Sequence, residues 1–279
     1  MRVAVLTGGT HVHVALREGE RELLRETLPA GAPGATVAAV ADRVAGHRPD
    51  VLGLASFGPI DVDPASPTRG HLRATPKPGW NDFPLGPELA RALGVAAWAV
   101  DTDVNAAARA EAAHGGETAL AYVTVGTGVG VGWVHQGRTA RAPDHPEAGH
   151  LPGDPADPFR GVCTFHGACV EGLVSGPALR ARSGGDPAAL SDDDPLWDWV
   201  ARDLAHLVHA VMLLVPVERV ILGGGVPEAR PFLGGLVEAR ARALAGAYRR
   251  IPEGLVGPPR VTRPDLEGAF LLADEARAW

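Results

Sequence analysis

An α/β fold built as two lobes is what this sequence predicts, and three observations carry the prediction. The chain has 279 residues, 46% of them hydrophobic and 21% charged, a globular composition with enough length for two compact lobes. Apolar runs of strand length are interspersed with segments whose apolar residues recur at three-and-four spacing, a mixed pattern of buried strands and helices. Two glycine hairpins of one plan, apolar strand, glycine-threonine turn, apolar strand, stand about half a chain apart, as an internal duplication would place them.

Taken in order, the chain opens on a strand from Val3 to Leu6, the turn Thr7-Gly8-Gly9-Thr10, and an alternating strand from His11 to Leu16. A helix is predicted over Thr36 to His47, a buried strand over Val51 to Ser56, a helix over Pro87 to Leu93 and a buried strand over Val95 to Val100. That strand runs into Asp101-Thr102-Asp103-Val104-Asn105, followed by a helix from about Ala106 to His114 with Gly115 past its end. Two carboxylates and an amide thus sit at the carboxyl end of a strand, where α/β sheets place reactive groups. One of Asp103 and Asn105 is expected to cap the helix, which leaves the other for chemistry.

Residues 120 to 134 form the second hairpin, around Gly126-Thr127-Gly128. Small residues at such turns leave main-chain N–H groups uncovered, and a facing pair can cradle phosphates; each taken alone is also an ordinary hairpin. Further on, Ser175-Gly176-Pro177 opens a short helix, and a long one runs from about Pro195 to Val215 until Pro216 stops it. Its Trp197, Val200, Leu204, Leu207, Val208 and Val211 make a core-facing stripe. A strand from Arg219 to Leu222 leads into Gly223-Gly224-Gly225-Val226, where backbone can approach a flat or phosphorylated ligand. The last helix covers Leu266 to Ala278, with Gly268, Ala269 and Ala273 suited to close packing.

Both cysteines fall in one segment, which offers His150, Cys163, His166 and Cys169 as two imidazoles and two thiolates. That set suits a closed tetrahedral zinc site with a structural role. Glu147 and Glu171 bracket it, so the ion would fix two strong hydrogen-bond acceptors beside a polar pocket. Ordinary buried thiols are the bland alternative; a Cys163–Cys169 disulfide is disfavoured because nothing else points to an oxidising compartment. The N-terminal apolar run is too short for a secretory signal and no stretch approaches a membrane span, so a cytoplasmic protein is expected. The net charge of -7 argues against a broad nucleic-acid surface, and an anionic ligand must be held locally.

With these residues assembled, the chain resembles the ROK-family sugar kinases, and within them the zinc-containing fructokinases of bacteria. The resemblance runs through Gly8-Gly9-Thr10, Ala55 to Asp61, Thr75-Pro76-Lys77-Pro78-Gly79-Trp80, Asp101 to Ala107, Val125 to Gly128, Glu147 with His150, the Cys/His cluster and Leu222 to Val226. It covers nearly the whole chain. It implies an actin-like, hexokinase-type fold with two ribonuclease H-like lobes around a cleft. Residues 1–106 would form the small lobe, with the helix of about 266–279 packing back on it, and 107–265 the large lobe, with the zinc segment at 147–171. It further implies an ATP- and Mg2+-dependent hexose kinase, fructose being the expected substrate, that acts as a homodimer. ATP phosphates would lie against Gly8, Gly9, Thr10, Gly126, Thr127 and Gly128, and the nucleoside near Gly223, Gly224 and Gly225. Asp103 would be the general base, and Asn105, Glu147, His150 and Glu171 would hold the sugar, His150 being shared with the zinc. No DNA-binding module is expected ahead of the first hairpin, and hence no nucleic-acid partner.

Five positions stand apart from the family pattern or leave a choice open. Leu6 and His11 replace an acid, associated with the magnesium, and a lysine in the first phosphate motif; leucine cannot coordinate a hard cation. A sugar-sensing protein on a kinase scaffold is therefore the alternative function, and if magnesium needs that acid, Leu6→Asp raises turnover. His11 and His13 share a strand face and are a weak candidate metal pair. Trp80 reads as a sugar platform or as core, and Lys77, the chain's single lysine, as a ligand contact or as part of an exposed loop.

Overall fold

A computed structural model describes residues 1–75 and 77–277, so Pro76 of the Thr75 to Trp80 run and Ala278 of the last helix lie outside the described residues. The chain divides into two compact units. The first comprises Met1–Ala110, Arg138–His145 and the chain from Val261 onward; the second comprises Glu111–Gly137 and Pro146–Arg260. The division falls four residues beyond the expected 106, inside a helix, and the first unit also takes in 138–145.

The first unit is built on a five-stranded sheet ordered β3-β2-β1-β4-β5. Its strands are β1 (Arg2–Thr7), β2 (His11–Glu18), β3 (Arg21–Pro29), β4 (Val51–Ser56) and β5 (Ala97–Thr102). β1 and β2 form the glycine hairpin, and β1 also pairs in parallel with β4, which pairs in parallel with β5. Every residue of β4 is buried, which explains its unbroken apolar run: a central parallel strand is covered on both faces. Helices α1 (Pro33–Val44) and α2 (Leu85–Leu93) cover one face, around Val40, Leu54 and Leu89.

α3 (Asp103–Gly115) follows β5 directly. Its cap is neither Asp103 nor Asn105. Thr102 ends the strand and its Oγ1 accepts from the Asn105 N–H at 3.2 Å, so the hydroxyl just before the helix reaches the third helical amide as a cap must. The helix therefore starts three residues earlier than expected and carries Asp103 as its first residue.

The other face of this sheet is closed by the last helix, α9 (Pro264–Arg277), packed on β1, β4 and β5 with Leu266, Phe270 and Leu272 fully inside. Two glycines let it come this close. A Cβ on Gly53 would lie 1.8 Å from the Ala269 carbonyl, and one on Gly268 would lie 1.9 Å from the Ala106 carbonyl, so strand, helix and α3 touch through backbone. Residues 138–145, which begin with the short strand β8 (Arg138–Thr139), are also part of this unit. Thr139 donates to buried Asp101 at 2.5 Å, Arg141 and Arg109 both bind Glu275, and Ile60 N–H donates to His145 Nε2 at 3.2 Å. Burial pushes the Glu275 carboxyl up, and the two guanidiniums more than offset it, bringing it down to about 2.

The second unit repeats the plan. β6 (Ala119–Val125) and β7 (Val129–His135) form a hairpin, β6 pairs in parallel with β9 (Arg219–Gly223), and β9 with β10 (Val256–Gly257). Four helices, α4 (Val170–Val174), α5 (Gly176–Ser183), α6 (Leu196–Leu214) and α8 (Leu233–Ala245), enclose its core, while α7 (Gly225–Ala229) follows β9. The predicted stripe of α6 is buried throughout, and Leu204 and Leu207, with no exposed surface, each contribute about 1.5–3 kcal/mol. Arg182 on α5 binds Asp157 at 2.7 Å, and Asp203 on α6 accepts the Asp154 N–H at 2.9 Å, pinning the loop that leads to Cys163. Burial, with Asp157 alongside, pushes the Asp203 carboxyl up to about 7.

Candidate active site and metal centre

In the first turn, the Gly8 N–H donates to the His11 carbonyl at 2.9 Å, leaving Gly9, Thr10 and His11 exposed at the tip. Thr7 Oγ1 donates to Ser56 Oγ at 2.8 Å, tying the base of the turn to the end of β4. His11 and His13 do not converge on an ion: their ring centroids are 6.4 Å apart and their Nδ1 atoms engage Thr10 and Thr27. Trp80 is core. Only 3% exposed, it packs edge-on against Phe57 and Phe83, so its ring has no face left for a sugar. Lys77 is half-buried, with Nζ donating to the Gly8 carbonyl at 2.8 Å, which rules out the plain exposed loop.

Asp103 is half-buried at the start of α3, and its Oδ1 accepts from the Val104 N–H at 2.9 Å, which fixes the carboxylate plane. Asn105 is buried and turns its amide inward to Asp101 Oδ1 at 2.7 Å. This bond ties the first turn of α3 to the end of β5.

In the second unit, the Gly126 to Gly128 turn is gripped from behind: the Gly176 N–H of α5 donates to the Gly126 carbonyl at 2.7 Å. Glu171 Oε2 accepts from the Val129 N–H at 3.2 Å, and a Cβ on Gly128 would meet that oxygen at 2.6 Å. The helical turn Ala148–His150 packs on the same strand start, with Gly149 so close that a Cβ would lie 1.9 Å from the Val129 carbonyl. Glu147 is exposed just before it. Gly224, at φ 91°, passes over Val125 and Thr124, and beside it Leu222, Pro227, Glu228, Pro231 and Pro259 line a cavity of about 430 Å³.

The four candidate metal ligands do converge. One ligand atom from each of His150, Cys163, His166 and Cys169 lies within 4.8 Å of the others. His150 Nδ1 is 3.8 Å from Cys163 Sγ and 3.5 Å from Cys169 Sγ, and Cys163 Sγ is 3.9 Å from His166 Nδ1. A tetrahedron with metal–sulfur bonds of about 2.3 Å and metal–nitrogen bonds of about 2.0–2.1 Å has sulfur–nitrogen edges of roughly 3.5 Å, so the donor set fits zinc. Both cysteines are free. Burial pushes the Cys169 thiol up to about 11. Because His150 presents Nδ1 to the thiols, its Nε2 points the other way, and Glu171 Oε1 lies 4.0 Å from Nδ1.

Sequence reasoning missed the Val129 to Glu171 bond, the Lys77 to Gly8 bond and His145. Only the Glu171 contact had a local signal, namely that a residue without Cβ at 128 leaves room for a carboxylate.

The glycine-turn hairpins, the strand-end aspartate and the Cys/His cluster flanked by carboxylates all fall in a chain whose relatives are sugar kinases. The sequence matches the ROK family over residues 2–276, and the chain belongs to that family. It is 34% identical over 254 residues to a fructokinase of Lactococcus lactis subsp. cremoris, spanning 89% of this chain and 87% of its relative. It is 33% identical over 282 residues to a fructokinase of Pediococcus pentosaceus, spanning 98% and 97%. The crystal structure of a ROK hexokinase from Thermus thermophilus superposes with a TM-score of 0.78 at 27% identity over 99% of both chains. A ROK glucokinase from Streptomyces griseus, solved with glucose and AMPPNP, shares the fold with a TM-score of 0.74 at 24% identity over 100% and 99%. The fold is the actin-like, hexokinase-type α/β fold of the family, and the protein is a carbohydrate kinase that phosphorylates a sugar.

Leu6 takes on a different meaning in the structure. It is 3% exposed and packs with Ala4, Ala55, Leu266 and Phe270 under α9, so the position is part of an apolar cluster and not an empty ligand position. A carboxylate there would be desolvated without a partner, at a cost of about 3 kcal/mol or more. Leu6→Asp is therefore expected to lower the melting temperature and not to raise turnover, the reverse of the expectation from sequence. Thermal melts and initial rates on one preparation check this; higher turnover at an unchanged melting temperature would place the magnesium at that position.

Proposed function

We propose that this protein transfers the γ-phosphoryl group of ATP to fructose, giving fructose 6-phosphate and ADP. The observation that carries the reading is the convergence of the Cys/His cluster on His150 and Glu171, in a chain similar to fructokinases over most of its length. Asp103 accepts the proton of the sugar hydroxyl as its oxygen attacks the γ-phosphorus and ADP departs. Glu147, His150 and Glu171 hold the other hydroxyls, and Asn105 supports the junction that carries Asp103.

The turns Gly8, Gly9, Thr10 and Gly126, Thr127, Gly128 receive the phosphates, and the nucleoside lies near Gly223, Gly224 and Gly225, beside the cavity lined by Leu222 and Pro227. Magnesium arrives with the nucleotide, completed by water and Asp103, since Leu6 offers it nothing. His150, Cys163, His166 and Cys169 hold a structural zinc, which fixes the His150 ring. Two free cysteines suit a reducing, cytoplasmic compartment. Among the described residues no helix is long and apolar enough to cross a membrane. The assembly is taken to be a homodimer, as in the resemblance, and light scattering on the purified protein checks it.

A coupled ADP-release assay with fructose, glucose, mannose and N-acetylmannosamine tests the substrate. Fructose should give the highest kcat/KM, by about 10-fold or more, a margin of about 1.4 kcal/mol in transition-state binding. Preference for another hexose would replace the substrate, and binding of sugar with no turnover would favour the sensor.

A further inference from the structure

The chain's single lysine sits in an unusual place. Lys77 Nζ donates to the Gly8 carbonyl at 2.8 Å and lies 4.0 Å from the ring centroid of Phe57 and 5.1 Å from that of Trp80. Its loop is held at several points. The Lys77 N–H donates to Thr75 Oγ1, the Thr75 N–H donates to Asn81 Oδ1 at 2.8 Å, and the Trp80 N–H donates to the Lys77 carbonyl. Upstream, fully buried Asp61 gathers Ser66, Thr68 and Arg73. Burial raises the Asp61 carboxyl, and these donors more than offset it, holding it below the usual range. The ammonium is therefore delivered to the glycine turn by a braced loop.

Among the described residues no carboxylate lies within ion-pair distance of Nζ, and the Gly8 carbonyl is its hydrogen-bond acceptor. An ammonium has three donors, and a ring face attracts its charge without using any of them. Burial lowers the Lys77 ammonium below its ordinary value. A half-buried cation without a counter-charge, beside a glycine turn whose Gly9 and Thr10 are exposed, is a receptor for an anion. The neighbouring His11 has its Nδ1 engaged by Thr10 Oγ1 at 2.9 Å.

We propose that Lys77 binds the phosphate chain of ATP at the first glycine turn and supplies the fixed positive charge against which the transferred phosphoryl group is positioned. This rests on the assignment of that turn to ATP. Because the chain has one lysine, reductive 13C-methylation labels only Nζ of Lys77 and the α-amino group, and the Lys77→Arg variant assigns the two resonances. With the wild-type protein, AMPPNP with magnesium should shift the Lys77 methyl resonance, and fructose alone should not. On unlabelled protein, Lys77→Met should raise KM for ATP about 10-fold or more with unchanged fructose affinity, and Lys77→Arg should recover part of the loss. Nucleotide that binds by calorimetry yet leaves the Lys77 resonance in place overturns the proposal alone. So does a Lys77→Met variant with a lower melting temperature but an unaltered KM for ATP, the result for a loop pin. Absence of nucleotide binding to the wild-type protein overturns the turn assignment and the proposal together.

Discussion

Asp103→Asn should lower kcat by about 10²- to 10⁴-fold while sugar still binds. The asparagine keeps the size of the side chain and the oxygen that accepts from the Val104 N–H, so α3 should start as before. What it loses is the carboxylate charge, which takes the proton and helps to hold the magnesium. Thr102 caps the helix, so the substitution leaves the cap intact, and a fall in rate would report chemistry and not unfolding. Rates from ADP release, set beside fructose affinity by calorimetry and a thermal melt, separate the outcomes. A variant that retains more than about a tenth of wild-type kcat would remove Asp103 from the general-base role.

Loss of the metal should have the second large effect. Protein purified without added zinc is expected to carry about one equivalent per chain, and chelation should lower the melting temperature and abolish sugar turnover together. The tip of the segment is thinly covered, with Phe165 71% exposed, while its base packs backbone on backbone, a Cβ at Gly172 lying only 1.9 Å from the Gly167 carbonyl. Structural zinc in small peptides is worth about 10–16 kcal/mol, far more than such a loop can gain by burial. Cys163→Ser should behave like the chelated protein. Metal content below about half an equivalent, with no shift on chelation, would make the cluster a set of buried thiols.

These two results test the parts of the site that sequence made most legible. The Cys/His cluster could be read because its ligands lie within 20 residues and share a recognisable spacing, and β4 because an unbroken apolar run has few other homes. The start of α3 was misread because Thr102, Asp103 and Asn105 can each cap, and only the hydrogen bond made in the fold selects Thr102. β3 escaped notice because its charges face solvent at a sheet edge, and α8 because arginine and alanine break its stripe. Lys77 and Gly8 are 69 residues apart, and no local pattern announces a bond over that distance. Leu6 looked like a missing ligand because sequence reports identity at a position and not the packing around it. Its neighbours under α9 come from the far end of the chain.

The seating of α9 on Gly53 and Ala106 also bears on how this protein is made. The helix that completes the first unit is translated after the whole second unit, Glu111–Gly137 and Pro146–Arg260. At ordinary elongation rates of about 5–20 residues per second, the apolar face of β1, β4 and β5 waits on the order of 10 s on the ribosome without its cover. The second unit can close during that interval, since all of its strands and helices have by then emerged. The amino-terminal part of the enzyme is thus the last to finish folding, and a stop codon before Pro264 would strand it with its central strand exposed.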